Sequence, residues 1–218
     1  MPIILLINPN TSARSLALMT RAAELHLPPG LTLRGVRAAT GVEMIVNEAD
    51  LQAAAAEVVR LGVAEASGVS AIIVAAFGDP GVAALRDMVD IPLVGIGEAS
   101  ITEAASGGRR FGIATTTPAL VGVIDSFVDE LVLGCWFTGV RVPDGDPLIL
   151  SADASRQEAA LAQSVADCFD LDGAEAVVIG GGPLSGAARA LRERFGARII
   201  EPVPAAVRRA LRLMDVGR

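Results

Sequence analysis

The chain contains no lysine: all 18 of its basic residues are arginines. An internal aldimine with pyridoxal phosphate, or any other Schiff base, needs a lysine amine, so that chemistry is closed to it. A Walker-type phosphate loop lacks its lysine for the same reason. Tyrosine is absent as well, which removes a phenolic acid. The single histidine, His26, lies in Arg21-Ala22-Ala23-Glu24-Leu25-His26-Leu27-Pro28-Pro29. It reads as the end of a helix before a loop, with its imidazole facing the helix dipole. A Ser–His triad would have to use it, and no Gly-x-Ser-x-Gly elbow accompanies it. One histidine also leaves no histidine-rich metal site. Cys135 and Cys168 are isolated; they read as small, buried or half-buried thiols in a reducing compartment, without metal-ligand spacing.

Two further shortages bound the partners. Net charge is −7 and no run of arginine offers a phosphate-tracking stripe, so no nucleic-acid partner is expected. No uninterrupted apolar run approaches the roughly 18 residues of a bilayer span. The apolar start, Met1 to Ile7, carries no basic leader. No membrane partner and a cytoplasmic location are therefore expected, and a homo-oligomer is left open. With 218 residues, 52% of them hydrophobic, the chain suits one large domain or two lobes of roughly 100 residues each.

What is present is a repeating alternation. Short β-branched runs end in Gly, Pro, Asn or Thr: Ile3 to Ile7, Leu31 to Arg37, Ala71 to Ala75 and Pro92 to Gly95, then Phe111 to Ala114, Thr138 to Val142, Ala176 to Ile179 and Arg198 to Ile200. Alanine- and leucine-rich segments such as Glu48 to Ala66 and Arg156 to Phe169 separate them. This pattern predicts right-handed βαβ crossovers and parallel sheets covered by helices. The two sets also match in order. Gly35-Val36-Arg37 recurs as Gly139-Val140-Arg141, Ala71 to Val74 as Ala176 to Ile179, and Ile3 to Ser12 as Phe111 to Leu120, at offsets of 104 to about 107 residues. The expected fold class is α/β, with two pseudo-symmetric lobes, each a short parallel sheet flanked by helices. Residues 1–96 with 205–218 would form the first lobe and residues 97–204 the second.

Ligand loops in such sheets follow the C-terminal ends of the strands. Here those loops are Asn8 to Ser12, Ala76 to Pro80, Thr115 to Pro118 and Gly180 to Pro183, and together they predict one cleft between the lobes. Asn8 and Asn10 bring amide donors and acceptors, although Thr11 or Ser12 would equally cap a helix. Thr115 to Thr117 suit capping, or binding of a carboxylate or imide. The glycine run at Gly181 and Gly182 exposes backbone N–H groups able to hold an oxyanion. It is not a dinucleotide fingerprint, so no nicotinamide or flavin cofactor is expected. Asp79 reads either as a turn or cap residue or as a carboxylate base. Glu98 reads either as a hydrogen-bonded residue across the lobe interface or as a second base. Either base would need burial to raise its pKa.

In combination, Ile7-Asn8-Pro9-Asn10-Thr11-Ser12, Phe77-Gly78-Asp79-Pro80-Gly81, the Gly95 to Ala99 segment and the Thr115-Thr116 pair resemble the aspartate/glutamate/hydantoin racemase superfamily. The likeness is to its hydantoin and allantoin racemase branch and covers nearly the whole chain. It implies an interlobe site and cofactor-free chemistry, with no metal. Two thiols on opposite faces of an acidic carbon would take off a proton and return one. By the flanking residues, those thiol positions fall on Ala76 and Gly181, whose side chains accept no proton. The usual two-thiol mechanism is thus not available to this sequence.

The resemblance leaves three expectations for function. The first is a racemase-like enzyme acting on a small carboxylate, imide or hydantoin held by Asn8, Asn10, Ala76, Phe77, Gly78, Thr115, Thr116, Gly181 and Gly182. Asp79 and Glu98 would then be its candidate catalytic bases. The second is a catalytically silent member that binds a metabolite as a sensor or regulator. The third is a lyase or hydrolase using one of the same carboxylates.

Overall fold

The structure, a computed structural model, describes residues 1–216. Within it the strands form two parallel sheets of four. The first joins β1 (Ile3–Asn8), β2 (Thr32–Arg37), β3 (Ala71–Val74) and β4 (Leu93–Gly95) in the order β2-β1-β3-β4. The second joins β5 (Phe111–Ala114), β6 (Phe137–Arg141), β7 (Ala176–Ile179) and β8 (Ile199–Ile200) in the order β6-β5-β7-β8. The two orders are the same, and the repeated tripeptides explain why. Val36 and Arg37 pair with Ile7 and Asn8 on β1, while Val140 and Arg141 pair with Ile113 and Ala114 on β5.

Helices α1 (Ala13–Glu24), α2 (Glu48–Glu65), α3 (Val82–Arg86) and α4 (Ile96–Ala104) lie between or after the first four strands. They are followed by α5 (Val121–Glu130), α6 (Pro147–Ala152), α7 (Ala154–Asp170), α8 (Ser185–Phe195) and α9 (Pro202–Val216). Single-turn 3-10 segments at Pro118–Leu120 and Gly182–Leu184 lead into α5 and α8. Starts are written into the sequence: Ser12 accepts from Ser15 N–H, Asn47 from Asp50 N–H and Asp153 from Arg156 N–H, each an N-cap. Helix α4 packs on β7 and β8, whereas α9 returns to β3 and β4. Residues 217 and 218, the end of the expected first-lobe tail, lie outside the described residues.

Strand alternation sorts the core into three layers. Leu5, Ile7, Ile72 and Val74 face α2 and α3 on the outside of the first sheet. Val177, Ile179 and Ile199 face α7 and α8 on the outside of the second. The intervening residues, Ile4, Leu6 and Ile73 from one sheet and Phe111, Ile113 and Val178 from the other, join a single central cluster with Ile96, Ile101, Val203 and Val207. The two sheets are therefore cemented by one shared core, and that core fixes how their strand ends meet. Gly182 marks the contact: a Cβ there would lie 2.8 Å from the Ala75 carbonyl oxygen and would strike the Met19 sulfur. Only glycine lets the second sheet's loop reach the first so closely.

Candidate active site

All four strand-end loops line one cavity of about 970 Å³. Asn10 and Ser12 enter from the loop after β1, Ala75 to Phe77 from that after β3, Thr115 to Thr117 from that after β5, and Gly180 to Pro183 from that after β7. Ala76 and Gly181 thus face the same cavity from topologically equivalent strands, β3 and β7.

The inner end of the cavity is rich in donors. Asn10 is almost fully buried, and its Oδ1 accepts from Asn8 Nδ2 at 2.8 Å and from Ser12 N–H at 3.0 Å. Those two donors fix the amide's orientation and leave Asn10 Nδ2 without a protein acceptor among the described residues. Backbone N–H groups of Ala76, Phe77, Thr116, Thr117 and Gly182 likewise make no hydrogen bond among the described residues. Hydroxyls close the second side: Thr115 Oγ1 donates to the Gly180 carbonyl at 2.7 Å and lies 3.1 Å from Thr117 Oγ1. Buried N–H groups without partners are uncommon in proteins. Those of Thr116, Thr117 and Gly182 stand at the starts of helical segments, and together with those of Ala76 and Phe77 they suit ligand carbonyl or carboxylate oxygens.

Asn8 and Gly78, expected to touch ligand, do not line the cavity. Asn8 is wholly buried behind Asn10 and orients it, its Oδ1 accepting from Asn10 N–H. Gly78 adopts a φ of +92° and turns the chain towards Asp79.

The two candidate bases require a correction, because neither Asp79 nor Glu98 lines the cavity. Asp79, held at a φ of +50°, accepts from Gly97 N–H and Glu98 N–H at 2.7 Å each. It is a helix cap, as one sequence reading had it, but it caps α4, a helix 17 residues further on. A Cβ on Gly95 would collide with this carboxylate, so the Gly95-Ile96-Gly97 stretch clears the space that Asp79 fills. Burial pushes the Asp79 carboxyl up to about 7, against the two N–H bonds that hold it down. Glu98 is engaged on both oxygens, with Arg209 at 2.6 Å and Arg86 at 3.2 Å. Replacing Glu98 by Gln is expected to cost no more than about 1 kcal/mol, because both pairs are partly exposed. Ligand affinity should stay within about twofold, and titration calorimetry on the variant checks this.

The remaining polar candidates also lie elsewhere. Cys168 is buried and its thiol is pushed up to about 12, chiefly by burial. Cys135 is exposed, not buried or half-buried as expected, because it sits in a surface turn at Gly134–Trp136. His26 follows α1, and its pKa is lowered by burial and by Arg208, Arg192 and Arg189.

Sequence reasoning missed the mouth of the cavity. Val42, Met44 and Ile45 line it from the connection after β2, and Leu148 and Ser151 line it from α6 after β6. The signal was available: these two connections follow the repeated Gly-Val-Arg tripeptides and are equivalent in the repeat.

Known proteins resemble this chain over most of its length. The Asp/Glu/hydantoin racemase family matches residues 4–210. Hydantoin racemase of Paenarthrobacter aurescens is 27% identical over 216 residues, 98% of this chain and 92% of that enzyme. Hydantoin racemase of Rhizobium meliloti is 35% identical over 153 residues, 70% of this chain but only 64% of that enzyme. Among solved structures, allantoin racemase from Klebsiella pneumoniae superposes with a TM-score of 0.94 at 28% identity, covering 100% of this chain and 89% of that one. With all four cavity loops inside the matched residues 4–210, the chain belongs to the Asp/Glu/hydantoin racemase family.

Proposed function

We propose that this protein binds a small imide, hydantoin or carboxylate in the interlobe cleft, without a cofactor, and does not racemise it by the two-thiol route. The observation carrying this reading is the division of labour in the cavity. Its inner end keeps the donors that would hold ligand oxygens, at Asn10, Phe77, Thr116 and Gly182. At Ala76 and Gly181, however, it offers no side chain able to move a proton. Asp79 and Glu98, the alternatives, are spent on α4 and on two arginines. A metabolite-binding or regulatory role follows. The free thiols Cys135 and Cys168 support a reducing cytoplasmic setting. The packing of α9 on β3 and β4 and of α4 on β7 and β8 supports dividing the lobes as residues 1–96 with 205–218 and residues 97–204.

One observation favours a second reading. The same N–H cluster would stabilise an enolate oxygen, so solvent water acting as base would give slow turnover without a protein base. Incubation in D₂O with hydantoins, allantoin and acidic amino acids distinguishes the two, with binding followed by ligand-observed NMR and α-deuteration by proton NMR. Saturable binding with exchange at the buffer rate is the expected result. Exchange well above that rate would overturn the silent-binder reading in favour of turnover. No binding by any compound would remove both.

A further inference from the structure

Directly behind Ala76 and Phe77 the chain bends sharply. Gly78, Asp79 and Gly81 all adopt left-handed backbone, with φ of +92°, +50° and +73°. Only Asp79 among them carries a Cβ, and such a residue keeps this conformation when its surroundings hold it there. Its own bonds do so. Asp79 N–H donates to the Ala76 carbonyl at 3.1 Å, closing the turn behind the cavity wall. Its carboxylate accepts from Gly97 N–H on one oxygen and from Glu98 N–H on the other. The far end of this connection also reaches the cavity. Ile96, which precedes those two N–H groups, brings its Cδ1 to 3.5 Å from where a Cβ on Gly182 would stand, and α4 packs on β7. One carboxylate therefore links the cavity N–H groups of Ala76 and Phe77 on the first sheet to that of Gly182 on the second.

Two N–H bonds, one to each oxygen, suit the ionised carboxylate. A proton on either oxygen would face an N–H with a proton of its own, and that contact would open. Burial, the largest influence on this group, brings the carboxyl up to about 7, so both forms are populated near neutrality. The charged groups acting on it are Glu98 of α4 and Arg86 of α3. These pair with each other, and Glu98 pairs also with Arg209 of α9. Leu51 of α2 and Phe127 of α5, which close the space at Gly78 and Gly97, carry no charge.

We infer that Asp79 is a positioning residue whose ionised carboxylate sets the N–H groups of Ala76, Phe77 and Gly182 for ligand, and whose protonation slackens them. This rests on the binding reading above and gives that site its regulation: the cleft holds ligand more tightly above neutral pH than in acid. Asp79 stays outside the cavity and exchanges no proton with the ligand. The sign of the coupling follows by reciprocity. A ligand that favours the ionised form lowers the carboxyl's pKa, so binding near neutral pH releases a proton.

The test uses the intact protein, first without ligand. In nitrogen-15 NMR the amides of Ala76, Phe77 and Gly182 are expected to titrate together with those of Gly97 and Glu98, at one midpoint of about 7. None should do so in Asp79→Asn, whose amide has a single acceptor oxygen and copies the protonated acid at every pH. His26, the chain's one imidazole, is common to both proteins and cannot produce the difference. Calorimetry with hydantoin and with allantoin then reads the effect on binding. Wild-type affinity should be at least about fivefold higher at pH 8 than at pH 5.5, with proton release on binding near pH 7. Asp79→Asn should stay at the weaker value throughout. A midpoint confined to Gly97 and Glu98 would show that the carboxylate acts on α4 alone and would overturn the inference. Equal wild-type affinity at the two pH values, or proton uptake on binding, would do the same while leaving the cleft as a binding site. Should Asp79→Asn fail to fold, the wild-type titration and the proton release decide by themselves. If neither compound binds at either pH, the binding reading fails for both, and the ligand-free titration still decides whether Asp79 governs the cavity N–H groups.

Discussion

A protein carrying both Ala76→Cys and Gly181→Cys is expected to exchange and invert the α-hydrogen of a 5-substituted hydantoin. Each single variant should exchange it slowly or not at all. The two positions face one cavity from equivalent strands, so thiols there approach a bound ring from different sides. The cysteine at 76 needs only one added sulfur at a nearly buried cavity wall. At 181 a new Cβ would meet Leu184 Cδ1 at 3.1 Å, a flexible contact that a rotamer change relieves. Neighbouring N–H groups, and at 181 the start of the Gly182–Leu184 segment, would lower the thiols from their ordinary pKa of about 8.5. Losing one proton-transfer group typically costs about 10²–10⁴-fold. Racemisation by the double variant should therefore exceed that by either single variant by at least about 10²-fold. Polarimetry gives inversion, and NMR in D₂O gives exchange. A double variant that folds and binds its ligand but inverts nothing would show that positions 76 and 181 do not flank the acidic carbon.

Replacing Asp79 by Ala is expected to be the most destabilising single change in the cleft's support. It strands the buried Gly97 N–H and the partly buried Glu98 N–H and leaves α4 without a cap, at a cost of about 2–4 kcal/mol. For a domain of this size that lowers Tm by about 4–16 °C. The pH dependence has a definite sign. Burial raises the folded carboxyl from its ordinary 3.8 to about 7. Between those values the folded chain therefore keeps a proton that the unfolded chain gives up. Stability from this group is full below about 4, falls as pH rises through 7, and changes no further above that. Asp79→Asn lacks this slope, so the wild type's advantage over it should be larger at pH 5 than at pH 8 in urea unfolding. An advantage that grows with pH would mean that the carboxylate stays ionised, the two N–H bonds overcoming burial.

The strands were legible because each buried parallel strand must be a short apolar run with a turn at its end. Ala71 to Val74 and Phe111 to Ala114 leave no other reading. The cavity loops followed by topology alone, since parallel strands place their C-terminal ends together. Asp79 and Glu98 were not legible to the same degree. Their partners, the N-terminus of α4 in one case and Arg86 and Arg209 in the other, lie 12 to 111 residues away. Nothing local to Gly78-Asp79-Pro80 distinguishes a carboxylate facing ligand from one facing a helix. The mouth was missed for a different reason: Val42 stands in an irregular connection and Leu148 in α6, a helix of six residues too short to show a period, and only their equivalence in the repeat relates them.

The shared central core has a consequence for how ligand comes and goes. Were the sheets joined by a hinge, the cleft would open by separating them, as two jaws do. Here Ile4, Leu6 and Ile73 are packed in one cluster with Phe111, Ile113 and Val178. Gly182 rests against Ala75, and Asp79 ties the loop after β3 to α4. Parting the sheets would open that core to water, a step close to unfolding. Traffic must instead pass between the connection that carries Val42 and helix α6. The residence time of a ligand held as proposed would then be a property of these two segments, set apart from the affinity of the floor beneath them.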